Sequence, residues 1–287
     1  MYANALVNGI LIGGFYSVLA LGLSLVFGVL KLINLAHGAI IVAGSYLAYV
    51  CFDQWGLGPF AALPLVVVAA AAIAYLLQRY LLTGLLLRGA DTALVATFGI
   101  ALLLEALYTE AFGSDPRSLN SSLSTAGFAL GPVQVRSANV VAFAIAVVLC
   151  LATHLLLTRT RAGALVRAAA ADPRTAGLMG INIRTTYAVI FAIGAGIAAM
   201  GGVLTGITFS FAPTTGTQYL LTGIAVVVLG GVGNVLGTLA GGIVLGLLQS
   251  LAAAQFGGGY RDLAVYCVFF VVLVFRPQGL FARRAAA

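Results

Sequence analysis

The amino-acid sequence predicts an all-α polytopic membrane protein. Hydrophobic residues make up 62% of its 287 residues, charged residues make up 7%, and the mean hydropathy is +1.13. A chain of this composition has too few polar side chains to cover the surface of a water-soluble globule. Its apolar residues also fall in runs of about 20, the length of a helix that crosses the hydrocarbon core of a bilayer. We therefore expect one transmembrane domain over residues 1–287.

Nine apolar runs predict about nine transmembrane helices. They cover residues 5–30, 36–52, 60–82, 92–112, 138–158, 186–209, 217–230, 236–255 and 262–276. Runs 36–52 and 217–230 are short, so the number becomes eight or ten if either segment is re-entrant. The first run has no basic residue before it and is too long for the apolar part of a signal peptide, so we expect it to remain as a spanning helix.

The basic residues predict an N-terminus outside and a C-terminus in the cytoplasm. An odd number of spans places the termini on opposite sides, and in this orientation 11 of the 14 basic residues are cytoplasmic, which agrees with the positive-inside rule. Only Arg117, Arg136 and Arg261 then lie outside. The connection 113–137, rich in Ser, Gly, Pro and Asn, becomes the one sizeable extracytoplasmic loop.

Several functions are disfavoured by composition and motifs. The net charge of +7 suggests nucleic acid, but the basic residues occupy short gaps between apolar runs and form no patch with interleaved aromatic residues. The three cysteines have no metal-site spacing. A phosphate-binding loop is absent, and a catalytic Ser/His pair is not indicated. We expect no enzyme activity, no bound metal and no cofactor held by this chain.

The segment around Arg159–Arg184 is the only long charged run, with five arginines and Asp172. Asp172 and Pro173 suit the N-cap and first position of a short helix, and Gly180 suits its end. Charge alone is compatible with a solvated loop that obeys the positive-inside rule. The helical pattern is also compatible with a docking helix for a cytoplasmic partner.

Two polar or glycine-rich interruptions predict broken helices, one around Asn34-His37 and one around Gly230-Asn234. Irregular backbone at membrane depth is tolerated where protein or a cavity covers it, and it recurs around transport pathways. Plain cytoplasmic turns explain the same residues. Glu105 is the one ionisable residue deep within a run, so we expect it to face the bundle interior, with Thr97 and Gly99 near the same face. The candidate path residues are Asn34, His37, Gly38, Thr97, Gly99, Glu105, Gly230, Gly231, Gly233 and Asn234.

Four stretches make the chain resemble the permease subunits of branched-chain amino acid ABC importers, the LivH type. They are GGFYSVLALGLSLVFGVLKLINLAHGAIIVAGSYLA, RAAAADPRTAGLMGIN, VVVLGGVGNVLGTLAGGIVLGLLQSL and the RPQGLF ending. The resemblance covers nearly the whole chain in the same order. NLAHG and DPRTAGLMGIN are its specific parts.

The resemblance implies that residues 159–185 form a cytoplasmic coupling loop that docks on an ATP-binding subunit. The residues that match this role are Arg167, Asp172, Pro173, Arg174, Ala176, Leu178, Gly180, Ile181 and Asn182. The chain departs from the family at Ala171, where an acid is common, and at Ala164, where a basic residue is usual.

The resemblance also implies an assembly in the bacterial inner membrane. It includes a second homologous permease, two ATP-binding subunits that hold ATP and Mg²⁺, and an extracytoplasmic substrate-binding protein. The expected solute is a branched-chain or other hydrophobic amino acid, although relatives also transport urea, amides and aromatic acids. A stand-alone channel or an ion-coupled secondary transporter is the alternative class, and it predicts transport without an ATPase.

Cysteine labelling tests the predicted orientation. In a chain without its native cysteines, Arg167→Cys should react with a membrane-impermeant thiol reagent only from the cytoplasmic side, because the basic segment is expected there. Ser114→Cys, in the 113–137 connection, should react from outside. Labelling of Arg167→Cys from outside would contradict the topology.

Overall fold

The computed structural model describes residues 2–119, 127–130, 133–276 and 279–281, and over these the chain forms a helical bundle with one small hairpin. The first five helices are α1 Tyr2–Leu30, α2 His37–Trp55, α3 Pro59–Leu77, α4 Thr83–Leu86 and α5 Ala90–Phe112, with a π-helical turn Gln78–Leu82 between α3 and α4. The hairpin strands are β1 Gly127–Leu130 and β2 Val133–Arg136. The remaining helices are α6 Ser137–Arg159, α7 Arg161–Ala171, α8 Pro173–Leu178, α9 Ile183–Thr208, α10 Thr215–Gly230, α11 Val235–Phe256 and α12 Arg261–Phe275, with a 3₁₀ turn Gly258–Tyr260 before α12.

Seven spans in the described part of the chain are long and apolar enough to cross a membrane. All nine predicted runs are helical, but α2 and α10 are not among the seven. With 16 residues, α10 is about 24 Å long, shorter than a hydrocarbon core of about 30 Å. In α2, His37, Asp53 and Gln54 lower the mean hydropathy. The all-α membrane class is therefore confirmed, whereas the number nine stays a prediction.

Helix α1 lies at the centre of the bundle and packs against α6, α9, α10 and α11. Its contact with α11 is the most extensive, and glycines on both helices allow the backbones to touch. A Cβ atom at Gly13 would lie 2.5 Å from the Cα of Ile243, and one at Gly246 would overlap the carbonyl oxygen of Gly9. Small residues at such crossings let transmembrane helices approach closely, as the glycine content predicts.

Helix α2 begins inside the bundle rather than at its end. Nε2 of His37 lies 2.8 Å from the carbonyl oxygen of Leu19. Leu19 is eleven residues before Leu30, the end of α1, which corresponds to roughly 16 Å along the helix. The connection 31–36 therefore turns back into the bundle. The first turn of α10 lies beside the start of α2, because a Cβ atom at Gly38 would overlap the carbonyl oxygen of Gly216.

The two ends of the bundle bear different structures. At the end where α1 terminates, Val166 and Ala169 of α7 share a buried cluster with Leu25 and Val29 of α1. At the opposite end the hairpin packs near the start of α1, where the Asn8 side-chain amide donates to the Gln134 carbonyl oxygen at 2.9 Å.

The hairpin lies inside the predicted 113–137 loop and was not predicted from the sequence. Its strands are only four residues long and antiparallel, so they leave little periodic signal in a Gly- and Ser-rich stretch. Residues 120–126 and 131–132 of that loop lie outside the described residues, as do Arg283, Arg284 and part of the RPQGLF ending.

Replacing Gly38 by valine should lower the free energy of unfolding by about 1–3 kcal/mol, because the side chain would meet backbone atoms of Gly216. Gly99→Val is the matched control, since a Cβ atom there has nothing within 4 Å. Thermal unfolding and the yield of monodisperse protein in detergent measure both variants. Equal stability of the two would contradict the close contact between α2 and α10.

Candidate functional site

The basic segment folds into two helices, each capped at its start by a side chain. The hydroxyl oxygen of Thr160 accepts from the N–H of Gly163 at 3.0 Å at the start of α7. At the start of α8, Oδ1 of Asp172 accepts from the N–H groups of Arg174 at 2.9 Å and Thr175 at 3.3 Å. Pro173 occupies the first helical position, as the sequence predicts. These caps satisfy amide groups that have no partner inside a helix.

The end of α8 is fixed by Gly180, which adopts a left-handed conformation with φ of +85°. Its N–H donates to the carbonyl of Gly177, and the N–H of Ile181 donates to the carbonyl of Ala176, both at 3.1 Å. This pair of bonds is a Schellman motif, which explains the glycine. One residue later Asn182 caps α9 by accepting from the N–H of Thr185 at 3.1 Å. Hydrogen bonds therefore link α8 to the long helix α9 without a flexible connection.

Helix α8 presents an apolar tip to the solvent. Ala176 is 5% exposed and anchors the helix, whereas Leu178 and Met179 are 88% and 80% exposed. Exposed large apolar side chains on an ordered backbone favour contact with another protein surface. The exposed side chains of Arg167 and Arg174 add positive charge to the same segment. Met179 was not predicted from the sequence, although a hydrophobic pair before a helix-terminating glycine was a usable signal.

Hydrogen bonds hold the Asp172 carboxylate in its charged form. The hydroxyl of Thr175 donates to Oδ2 at 2.5 Å, and this bond, with those from the N–H groups of Thr175 and Arg174, lowers the pKa of Asp172. Because the pKa is lower in the folded state, the cap stabilises α8 above the ordinary carboxyl pKa. That contribution is lost as the pH falls through the lowered value.

The first break is buried and its polar groups are paired. Asn34 and His37 are 2% and 1% exposed, and Oδ1 of Asn34 accepts from the N–H of Ala36 at 3.1 Å. The hydroxyl of Thr97, also buried, accepts from the N–H of Leu35 at 3.2 Å and donates to the carbonyl of Leu94. The structure therefore brings Asn34, His37 and Thr97 together and favours a broken helix over a plain turn.

The second break lies at the end of the bundle. Gly231 and Gly233 have φ of +82° and +73°, and a Cβ atom at Gly28, two residues before the end of α1, would lie 2.7 Å from the Cα of Gly233. Asn234 caps α11 by accepting from the N–H of Gly237 at 3.0 Å, and its amide donates to the carbonyl of Phe281 at 2.9 Å. This geometry favours a tight turn between α10 and α11, in which Gly230 is buried.

The three residues of α5 that were expected near one face have different environments in the structure. Thr97 faces inward, Gly99 is exposed, and Glu105 is partly exposed. Most residues of α5 are exposed in the isolated chain, so Glu105 does not lie in the interior of this bundle. Their part in a path stays a prediction.

Among the described residues, no group of three or more His, Cys, Asp or Glu side chains is placed to hold a metal ion.

Comparison with known proteins relates the chain to amino acid permeases. A family model described as branched-chain amino acid transport system / permease component matches residues 5–275. The high-affinity branched-chain amino acid transport system permease protein BraD of Pseudomonas aeruginosa is 28% identical, over 98% of this chain and 96% of its own length. The corresponding protein LivH of Escherichia coli (strain K12) is 27% identical, with coverage of 98% and 96%. The probable permease LivH of Methanocaldococcus jannaschii is 26% identical over 91% of this chain and 87% of its own length. No solved structure matches the chain.

Removing the cap of α8 should loosen the basic segment. In Asp172→Ala, backbone amides from Arg174 to Leu178 should exchange with deuterium faster than in the parent, because two N–H groups lose their acceptor. Asp172→Asn keeps an acceptor oxygen and should retain most of the protection. Unchanged exchange in Asp172→Ala would contradict the capping role.

Proposed function

The chain belongs to the family of branched-chain amino acid transport system permease components, and on that premise we propose that it is the transmembrane permease subunit of an ABC importer. Its function is to form part of the translocation path for a branched-chain or other hydrophobic amino acid. The family match extends over almost the whole chain. The structural observation that most strongly supports the proposal is the ordered helix α8 with its exposed apolar tip.

In this proposal α8 is the coupling helix, and residues 159–185 are the cytoplasmic loop that docks on an ATP-binding subunit. Leu178 and Met179 insert into an apolar groove of that subunit, while Arg167 and Arg174 contact acidic groups around it. Hydrolysis of ATP with Mg²⁺ takes place on the partner, and this chain binds no cofactor.

A movement of the ATP-binding subunit would reach the membrane through α9. The Asn182 cap and the Schellman motif make the α8–α9 connection stiff, and α9 packs against α1, α2 and α3. A displacement of α8 therefore shifts a helix that packs against α2, which follows the first break, rather than being absorbed by a loop.

The full assembly contains a second homologous permease, two ATP-binding subunits and an extracytoplasmic binding protein. The chain crosses the bacterial inner membrane nine times, α2 and α10 included, with its N-terminus outside. The path passes the buried cluster of Asn34, His37 and Thr97, where the N-terminal ends of α2 and α10 meet. The scarcity of charge there suits a small zwitterion better than a polyvalent ion.

Co-purification and uptake test the function. A tagged chain expressed with its neighbouring genes should isolate a second permease and ATP-binding subunits. The complex in vesicles should then take up leucine, isoleucine or valine only with ATP and the binding protein. Uptake of an aromatic or short organic acid, urea or an amide instead would show that the proposed solute is wrong. Transport by this chain alone would show that it is a channel or secondary transporter and not a subunit of an ABC importer.

Charges placed at the apolar tip should uncouple the complex. In Leu178→Asp/Met179→Asp, co-purification of the ATP-binding subunit and ATP-driven uptake should fall at least about tenfold, because a buried apolar contact would be replaced by unpaired carboxylates. Leu87→Asp changes another strongly exposed leucine (70% exposed) at the same end of the bundle and is the control. Wild-type uptake in the double variant would show that the tip makes no essential contact.

A further inference from the structure

A cavity of about 790 Å³ lies at the end of the bundle opposite to α8. Its walls come from the first turns of α1 and α6, the hairpin, and the last turns of α9 and α11, with Arg261 at the start of α12. This end faces outside in the proposed orientation. Arg136 and Arg261 were named from the sequence only as basic residues on the outer side, and Phe209 only as a possible apolar contact for the solute. Nothing in the sequence predicted that they line one cavity, because only the fold brings them together.

The charge of the cavity is positive. Arg136 and Arg261 line it, together with Asn8, Gln134 and Asn139, and none of the described residues that line it is acidic. Asp262, next to Arg261 in the chain, does not line the cavity. Its carboxylate oxygens instead lie 3.4 and 3.5 Å from the side-chain amide nitrogens of Gln218 and Gln249. Guanidinium groups in a concave polar site favour carboxylates, which they bind through two parallel hydrogen bonds.

The cavity also has an apolar side. Ile12, Phe128, Phe209 and Ala254 contribute hydrocarbon surface. The ring of Phe209 lies 5.4 Å from that of Phe15, which is 2% exposed, so an aromatic contact joins the cavity wall to the interior of the bundle. Recognition of a small amphiphile needs this combination of an apolar wall and a few convergent polar groups.

We propose that this cavity is the outer receiving site for the transported solute and that it binds a carboxylate through Arg136 and Arg261. The apolar side chain of the solute lies against Phe209 and Ile12, and movement of the Phe209–Phe15 pair admits it to the bundle. The identity of the solute rests on the proposed function, whereas the preference of the cavity for a carboxylate does not.

Thiol chemistry inside the cavity tests the proposal without the binding protein. In a chain whose Cys51, Cys150 and Cys267 are replaced, Ala254→Cys places one thiol in the cavity wall. The ratio of modification rates by an anionic sulfonatoethyl reagent and a cationic trimethylammonioethyl reagent should be about tenfold higher there than at Trp55→Cys, because two nearby positive charges concentrate anions. Trp55 is an exposed control at the same end of the bundle.

Charge removal and ligand protection complete the test. Arg136→Gln/Arg261→Gln should lower the ratio at position 254 to the Trp55→Cys value, and Arg136→Lys/Arg261→Lys should preserve most of it. Leucine at millimolar concentration should slow modification at position 254, and leucinamide, which lacks the carboxylate, should not. An unchanged ratio in the glutamine variant, or equal protection by both compounds, would overturn the proposal. Protection by acetate or benzoate but not by leucine would keep the carboxylate site and reject the proposed solute.

Discussion

The close backbone contact between α1 and its neighbours is the constraint on which the rest of the structure depends. Gly13 and Gly246 allow α11 to touch α1, and Gly194 of α9 lies against Gly22 in the same way. In a bilayer, association between helices gains little from the hydrophobic effect, so packing of this kind must hold the bundle together. A central helix in contact with four others also fixes the level at which each of them begins and ends.

The positions of helices α2 and α10 follow from this arrangement. Helix α1 spans the bundle, whereas α2 begins beside Leu19 in its middle and α10 begins beside the start of α2, so the connections before both helices fold into the bundle. The buried backbone of the connection 31–36 needs partners there, and the side chains of Asn34 and Thr97 supply them by accepting from the N–H groups of Ala36 and Leu35. Irregular backbone inside a membrane protein is stable only under this condition.

The basic segment combines order with exposure, which is the property a docking surface needs. Caps at Thr160, Asp172 and Asn182 satisfy the helix starts, and the Schellman motif at Gly180 satisfies the end of α8. The entropy of ordering Leu178 and Met179 is therefore largely lost before any partner binds. The arginine-lined cavity lies at the opposite end of the bundle, and six elements contribute to it: α1, the hairpin, α6, α9, α11 and α12.

The sequence by itself determined the membrane class, the positions of nine helical runs and the capping residues of α8, because hydropathy, helix propensity and capping act over a few residues. It also indicated Asn34, His37 and Thr97 as unusual polar groups. Only the tertiary structure decided that the first break enters the bundle while the second is a turn at its end, since in the sequence both are short interruptions between two apolar runs. It also decided that Glu105 lies on a peripheral helix and that Arg136 and Arg261 line one cavity. Depth and direction in a bundle depend on contacts between distant helices, and no local pattern in the sequence specifies them.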